Sequence, residues 1–384
     1  MGLPLPPTPK SALGFHRLLA PNTSVRVSPL CLGGMNFGEG WKDFMGECNQ
    51  ETAERILDLF SQNGGNFIDT ANHYQKGDSE QLIGNWMKKR GNRDRMIIAT
   101  KYTTPYSESF GDKELIINTG GNGSKSLHTS LEASLKKIQT SYIDLAFSQF
   151  CTPKLSSFLY VHWWDFTCSI PEMMQSLNSV VTSGKVLYLG ISNTPAWVVS
   201  KANQYTRDHG FRQFSVYQGK WSAACRDLER DIIPMCISEG MGLAPWGVLG
   251  SGAFKSEEQR NSREGRKIDE VPESAIEASK VLERIAQKKH TAITSIALAS
   301  VIHKTPYVFP IVGGRKIEHL EGNIAALSLG LSQEEIEEIE GAVPFDIGYP
   351  MNFLGRNEHE SLLNKIGGHY EYVGHLKPIP PHKM

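Results

Sequence analysis

Val27-Ser28-Pro29-Leu30-Cys31-Leu32 is an apolar run, and the residues after it, Gly33-Gly34-Met35-Asn36-Phe37-Gly38, decide between two folds. An open doubly wound sheet that binds a dinucleotide carries G-x-G-x-x-G directly after its first strand and opens a helix on it. Here the glycines are spaced differently and no helical pattern follows at once. Further short apolar runs recur downstream: Asn66-Phe67-Ile68, Met96-Ile97-Ile98-Ala99, a run ending Leu159-Tyr160-Val161, Val186-Leu187-Tyr188-Leu189, Phe214-Ser215-Val216-Tyr217, Gly242-Leu243-Ala244 and Val308-Phe309-Pro310-Ile311. Amphipathic stretches of helical length separate them. Residues 51–62 carry Ala53, Ile56, Leu57 and Phe60 at three-to-four spacing and close on Gly64-Gly65, and 124–138, 171–182, 275–287 and 317–326 read similarly. Eight strands alternating with helices imply a parallel sheet with right-handed crossovers, and eight is the number that closes into a barrel. The expected fold class is therefore α/β, a single-domain (β/α)₈ TIM barrel over residues 15–345. A disordered segment is expected over 1–14, a mobile loop over the charged stretch 255–271, and an irregular tail over 346–384.

Composition narrows the function classes. Hydrophobic residues make up 40% and charged residues 21%, enough to bury a large core. The formal net charge is −1 with no run of Lys or Arg, which argues against nucleic acid and anionic membrane partners. The cysteines, Cys31, Cys48, Cys151, Cys168, Cys225 and Cys236, form no C-x-x-C pair, so neither a disulfide framework nor a metal site is expected, and a reducing compartment fits. The proline-rich MGLPLPPTPK start lacks the apolar region of a secretory signal, and no stretch approaches the roughly 18 apolar residues of a membrane span; a cytoplasmic protein is expected. Asn22-Thr23-Ser24 and Asn122-Gly123-Ser124 match the glycosylation acceptor pattern and are read as chance.

Catalytic side chains of such a barrel come from the C-terminal ends of its strands. Asp69 and then Tyr74 follow the second strand, Lys101 the third and His162 the fourth. An acid, a phenol, an amine and an imidazole suit carbonyl reduction, because hydride arriving at carbon leaves charge on oxygen and a proton donor must meet it. Lys101 beside Tyr74 is expected to lower the phenol's pKa, Asp69 to hold Lys101, and His162 to bond the substrate oxygen and help relay the proton. Each residue alone has a plainer reading: an N-cap for Asp69, a satisfied surface group for Lys101 or His162, packing for Tyr74. The four together at neighbouring strand ends favour the catalytic one.

The stretch Phe67-Ile68-Asp69-Thr70-Ala71-Asn72-His73-Tyr74, continuing through Glu80 to Ile83-Gly84, resembles the first signature of the aldo-keto reductases, and Lys101 and His162 match that family's remaining catalytic positions. The resemblance implies an extended NADP(H) bound without a Rossmann fingerprint. It implies that Ser192, Asn193 and Gln218 hold the nicotinamide carboxamide, that Trp246 stacks on the ring, and that Gly247-Val248-Leu249-Gly250-Ser251-Gly252 cradles the pyrophosphate. Gly34, Met35 and Asp69 are further implied contacts. Gly313, Arg315, Lys316 and His319 resemble the segment at the adenosine 2′-phosphate, and Asn323 the adenine contact. Where many members have Lys-Ser this chain has Gly313-Gly314, and where they have Arg it has His319, so Arg315 and Lys316 are left to supply the cation. Trp163-Trp164-Asp165, Ala244-Pro245-Trp246-Gly247 and Val312-Gly313-Gly314-Arg315-Lys316 look like the fungal aryl-alcohol dehydrogenase branch. That likeness implies a small aromatic carbonyl substrate, in the nearest case a ketone on an anthraquinone side chain. Trp41, Phe44, Trp163 and Trp164 are candidates to wall a flat pocket with His162, ordinary packing being the rival reading for Trp41 and Phe44. A monomer or homodimer is expected.

One stretch departs from the family pattern. Tyr142-Ile143-Asp144-Leu145 is expected to run directly into Leu159-Tyr160-Val161-His162, yet AFSQFCTPKLSSF, residues 146–158, intervenes. A barrel strand paired on both sides cannot absorb such a loop in its middle. Either the chain loops out below the barrel and 158–161 completes the fourth strand, or the segment is translated intron that fits no family element. If the polypeptide carries the insertion, lower stability and lost activity are expected. The rivals to an active reductase are thus a non-catalytic NADP-binding subunit and a paralogue inactivated by the insertion.

Overall fold

The computed structural model describes residues 5–105, 116–142, 157–261, 270–369, 371 and 373–382. An antiparallel hairpin of β1 (Arg17–Ala20) and β2 (Thr23–Val27) precedes the barrel strands β3 (Cys31–Gly33), β4 (Phe67–Asp69), β5 (Ile97–Tyr102), β6 (Ser157–Val161), β7 (Tyr188–Ser192), β8 (Phe214–Gln218), β9 (Gly242–Leu243) and β10 (Ile311–Val312). The eight pair in parallel in the order β10-β3-β4-β5-β6-β7-β8-β9. A bridge between Leu243 and Val308 joins the ends, with Leu243 N donating to Tyr307 O at 2.9 Å, Phe309 N to Leu243 O at 2.8 Å and Ile311 N to Pro245 O at 2.8 Å. The expected (β/α)₈ barrel is therefore the fold.

Alternation along the strands builds two apolar layers. Ile68, Ile98, Leu159, Val161, Leu189 and Ile191 face outward into one cluster with the helices, whereas Phe67, Ile97, Ala99, Phe158, Tyr160 and Val216 face inward. The hairpin contributes Leu19, Val25 and Val27 to the inner cluster and so plugs one end of the barrel. Gly242 is small because the hairpin presses on it: a Cβ there would stand 2.2 Å from the Leu19 carbonyl oxygen.

The expected helices form at Gln50–Gln62, Ser124–Ile138, Ile170–Thr182, Glu273–Lys288 and Ile317–Ala326. Asn49 caps the first through its side chain, and Ser169 the third, with Pro171 in its first turn. Three expectations shift. The chain is packed from Ser11 on, not from 15: Ala12–Gly14 is a capped 3₁₀ turn with Ala12 and Leu13 buried. Stretch 255–271 begins as a helix, Glu257–Asn261, and residues 262–269 lie outside the described residues. The tail carries two short helices, Met351–Leu354 and Leu362–Gly367, and returns to stack His382 on Phe15 at 4.0 Å. Most of the 146–158 segment lies outside the described residues, but β6 begins at Ser157 and pairs on both sides, Tyr160 opposite Lys101 and opposite Gly190.

Candidate active site

The inward parity carries the chemistry. Asp69 stands two residues after Phe67, Lys101 two after Ala99, His162 two after Tyr160, and Gln218 two after Val216, each continuing an inward row past the strand's apolar part. Pairing of Asp69 with Ala99 and of Lys101 with Tyr160 brings the rows to one level. The four catalytic candidates meet there.

Lys101 is fully buried, and its Nζ lies 2.7 Å from Asp69 Oδ2, 2.7 Å from the Thr70 carbonyl oxygen and 3.3 Å from Tyr74 Oη. Burial pulls its pKa down, but Asp69 and Tyr74 outweigh burial, so the ammonium is held charged above the ordinary lysine range. Asp69 Oδ1 accepts from Gln218 Nε2 at 2.9 Å. Tyr74 differs from expectation. Burial is the largest influence and raises its pKa, Lys101 lowers it, Asp69 raises it, and the result lies above the ordinary tyrosine range. Lys101 limits that rise without reversing it, and the resting phenol is an acid carrying its proton.

His162 directly follows β6, with its backbone N–H on Tyr102 O and Thr103 Oγ1, and its carbonyl accepts from Asn193 Nδ2 at 3.2 Å. Burial, then Lys101 and His73, push its pKa well below the ordinary histidine range, so the ring is neutral. Its buried Nδ1 has no hydrogen-bond partner among the described residues. The ring stacks on Trp163 at 4.3 Å, and Trp41 lies edge-on to Tyr74 at 6.3 Å. These two tryptophans flank the site. Trp164 does not: it packs against the helix-facing core, and Phe44 is largely exposed.

The implied cofactor residues form an arc around the same strand ends. Ser192 is buried at the end of β7 and its Oγ accepts from Asn193 Nδ2 at 2.9 Å. Gln218 is at its expected level, though its amide N–H is engaged on Asp69. Trp246 is half-buried just past β9. In the loop after it, Gly247, Gly250, Ser251 and Gly252 all take positive φ, 75°, 70°, 53° and 95°, while the Val248 side chain is buried and Leu249 packs on the core. Backbone and the exposed Ser251 hydroxyl are left to face a ligand there, in the mixed-handed geometry that turns successive N–H groups to one side. Gly313, Lys316 and Asn323 line one small cavity beside Leu32, and His319 packs on Gly314. Arg315 reaches the other way and lays its guanidinium across Gly46, where a Cβ would overlap it. Gly34 N donates to Asp69 O at 2.7 Å, and Met35 is partly exposed beside it.

Sequence reading missed the groups that hold these residues. Lys137 Nζ bonds Asn72 O at 2.8 Å and pairs at 2.8 Å with Glu80, which accepts from Thr100 Oγ1 at 2.5 Å, so a buried network clamps the loop before Tyr74 to β5. Asn122 Nδ2 donates to Thr103 Oγ1 and Trp163 O, and its Oδ1 accepts from Asp165 N. With that amide fully buried and in use, the Asn122-Gly123-Ser124 glycosylation pattern is chance, as read. Asn122 stands out in the sequence only by its glycosylation spelling, and nothing in its spacing points to Trp163.

A barrel with an Asp, a Tyr, a Lys and a His at its strand ends defines a class, and the family model described as "Aldo/keto reductase family" matches residues 29–344. The chain belongs to that family and is an oxidoreductase. Its relatives include norsolorinic acid reductase B of Dothistroma septosporum, 60% identical over 95% of this chain and 94% of that one. Norsolorinic acid reductase A of Aspergillus parasiticus is 56% identical over 95% of this chain and 90% of its own length, and an aryl-alcohol dehydrogenase [NADP(+)] of Phanerodontia chrysosporium is 44% identical over 98% of each. Among the described residues no helix is long and apolar enough to cross a membrane, and no group of His, Cys, Asp or Glu is arranged to hold a metal.

Proposed function

We propose that this protein reduces an aromatic ketone or aldehyde to the alcohol with NADPH, Tyr74 giving the proton, and that its natural substrate is norsolorinic acid or a close relative, in a polyketide mycotoxin pathway. The observation that carries this is the buried ammonium of Lys101 between the Asp69 carboxylate and the Tyr74 hydroxyl, under a mouth flanked by Trp41 and Trp163. The relatives' names supply the substrate class.

A nicotinamide dinucleotide fits the arc of Ser192, Asn193, Trp246 and the left-handed glycine loop, with Lys316, Asn323 and His319 at the far end for the 2′-phosphate and adenine. When bound, it supplies a hydride to the carbonyl carbon. Tyr74 Oη then passes its proton to the oxygen as charge grows there, and the Lys101 ammonium at 3.3 Å stabilises the phenolate left behind. His162, neutral, donates a hydrogen bond to the same oxygen without competing as an acid. Asp69 keeps Lys101 charged and aimed. Cys31, Cys48, Cys168, Cys225 and Cys236 are unpaired, which agrees with a cytoplasmic site of action.

NADPH oxidation with a panel of aromatic aldehydes and ketones tests the reading: turnover with NADPH exceeding that with NADH is expected, and no oxidation with any of them sinks it. The pH dependence follows from the two displaced pKa values. Because Tyr74 must be protonated to act in reduction and its pKa is raised, kcat/KM for reduction should stay level through neutral pH and fall only above the ordinary tyrosine range. Alcohol oxidation needs the phenolate and should rise about tenfold per pH unit below that pKa. His162 titrates well below its ordinary value, so an activity break near neutral pH is not expected; one that moves on replacing His162 would contradict the neutral ring.

A further inference from the structure

Within the aromatic mouth stands an imidazole for which the reduction itself has no use. His73 immediately precedes Tyr74, is half-buried, and has its ring centroid 5.0 Å from Tyr74, 5.2 Å from His162, 5.9 Å from Trp41 and 6.4 Å from Trp163. Its tautomer is set by its neighbour. Asn72 Nδ2 donates to Thr104 O at 2.8 Å and to Ser130 Oγ at 3.4 Å, which fixes the amide so that Oδ1 faces His73 Nδ1 at 3.4 Å. An amide oxygen only accepts, so Nδ1 carries the hydrogen and Nε2 is left with a bare lone pair. Nε2 has no hydrogen-bond partner among the described residues. The ring does not gain a second proton near neutral pH, since burial, then Lys101 and Lys137, bring its pKa to about 4.

We infer that His73 determines substrate choice: its Nε2 accepts a hydrogen bond from a hydroxyl group on the aromatic ring that bears the reacting carbonyl, so the preferred substrates are hydroxyaryl aldehydes and ketones. The inference rests on the reductase reading and deepens it. An uncharged acceptor within a ring's width of the proton donor favours a neutral phenol, which can donate. It disfavours the methyl ether, which cannot donate and leaves the lone pair desolvated and unmatched. Lys101 and Tyr74 do the chemistry; His73 selects what they act on.

The test compares 2-, 3- and 4-hydroxybenzaldehyde with their methoxy counterparts, at about pH 6 where the phenols keep their protons. For at least one ring position the wild-type enzyme is expected to give kcat/KM for the hydroxy compound about tenfold or more above the methoxy compound. In His73→Phe, which keeps an aromatic ring but removes the acceptor, that ratio should collapse to within about twofold. His73→Gln, whose amide oxygen accepts, should recover part of it. Because the readout is a ratio, a general loss of activity in a variant divides out, and NADPH binding followed by tryptophan fluorescence confirms that each variant is folded. Ratios near one at all three positions in the wild type, or a ratio that survives in His73→Phe, overturn the assignment. Dissociation constants of the same aldehydes for the NADP⁺-loaded protein give an independent arm. If no aldehyde is turned over, the reductase reading falls, while a hydroxy-over-methoxy binding preference that His73→Phe abolishes, or its absence, still decides the role of His73.

Discussion

Lys101→Met should fold less stably and reduce aldehydes at least about 10²-fold more slowly than the wild type. Both partners of the pair are buried, with side-chain exposures of 0% for Lys101 and 5% for Asp69. Removing one member of such a pair leaves the other charge without its counterion, a change that typically costs about 3–5 kcal/mol. Asp69 would keep only the Gln218 amide, and the Thr70 carbonyl would lose its donor. The chemical loss has a separate origin. Burial and Asp69 both raise the Tyr74 pKa, and Lys101 opposes them. Without the ammonium the phenol becomes a still weaker acid, and the phenolate formed at the transition state has no cation 3.3 Å away. The double variant Asp69→Asn/Lys101→Met separates the two effects. It should regain much of the stability, because no unpaired charge remains, and none of the activity. Thermal unfolding and kcat measured on the same preparations check this, and a double variant that recovers turnover would mean that Lys101 matters only for folding.

Tyr74→Phe carries the second large effect, with the opposite signature. The Tyr74 ring is buried against Trp41, His73 and the Lys101 ammonium, and phenylalanine preserves that shape. Lys101 loses one of its three oxygen partners but keeps Asp69 and Thr70 at 2.7 Å each. Stability should therefore change by no more than the roughly 1 kcal/mol typical of one hydrogen bond. The proton donor is gone, however, and kcat should fall by about 10² to 10⁴, the usual worth of a positioned general acid. His162 does not substitute, because its depressed pKa leaves the imidazole neutral, with no imidazolium proton to give.

Much of this site is legible in the chain because strand alternation is legible. The row Phe67, Asp69 and the row Ile97, Ala99, Lys101 already state that the acid and the amine point the same way as the inner core. The recurrence of eight short runs points to the barrel for a related reason: a strand buried on both faces reads as a mainly apolar run. Elsewhere local pattern yields to tertiary packing. In the hairpin Arg17–Val27 only β2 alternates buried and exposed residues, and both short strands gain their stability by seating Leu19, Val25 and Val27 under the barrel, a contact between residues far apart in sequence. Val308 and Phe309 read as the last strand, but they serve as the seam with β9, and the ladder forms two residues later. The sign of the Tyr74 shift is not legible at all. Which of burial and the Lys101 charge prevails depends on how much water the fold excludes, and no spacing of residues encodes that. The clamp of Lys137, Glu80 and Thr100 is hidden for a similar reason, since a buried ion pair looks in sequence like two surface charges.

Delivery of the proton by the Tyr74 hydroxyl in the chemical step can be measured by single turnover. NADPH-loaded wild-type protein and Tyr74→Phe would each be mixed with a saturating aromatic aldehyde in a stopped-flow instrument, and NADPH binding titrated on the same samples. For Tyr74→Phe a cofactor dissociation constant within about threefold of wild type and an NADPH decay slowed by about 10² or more are expected. A decay at the wild-type rate, with cofactor bound equally well, would contradict proton delivery by Tyr74.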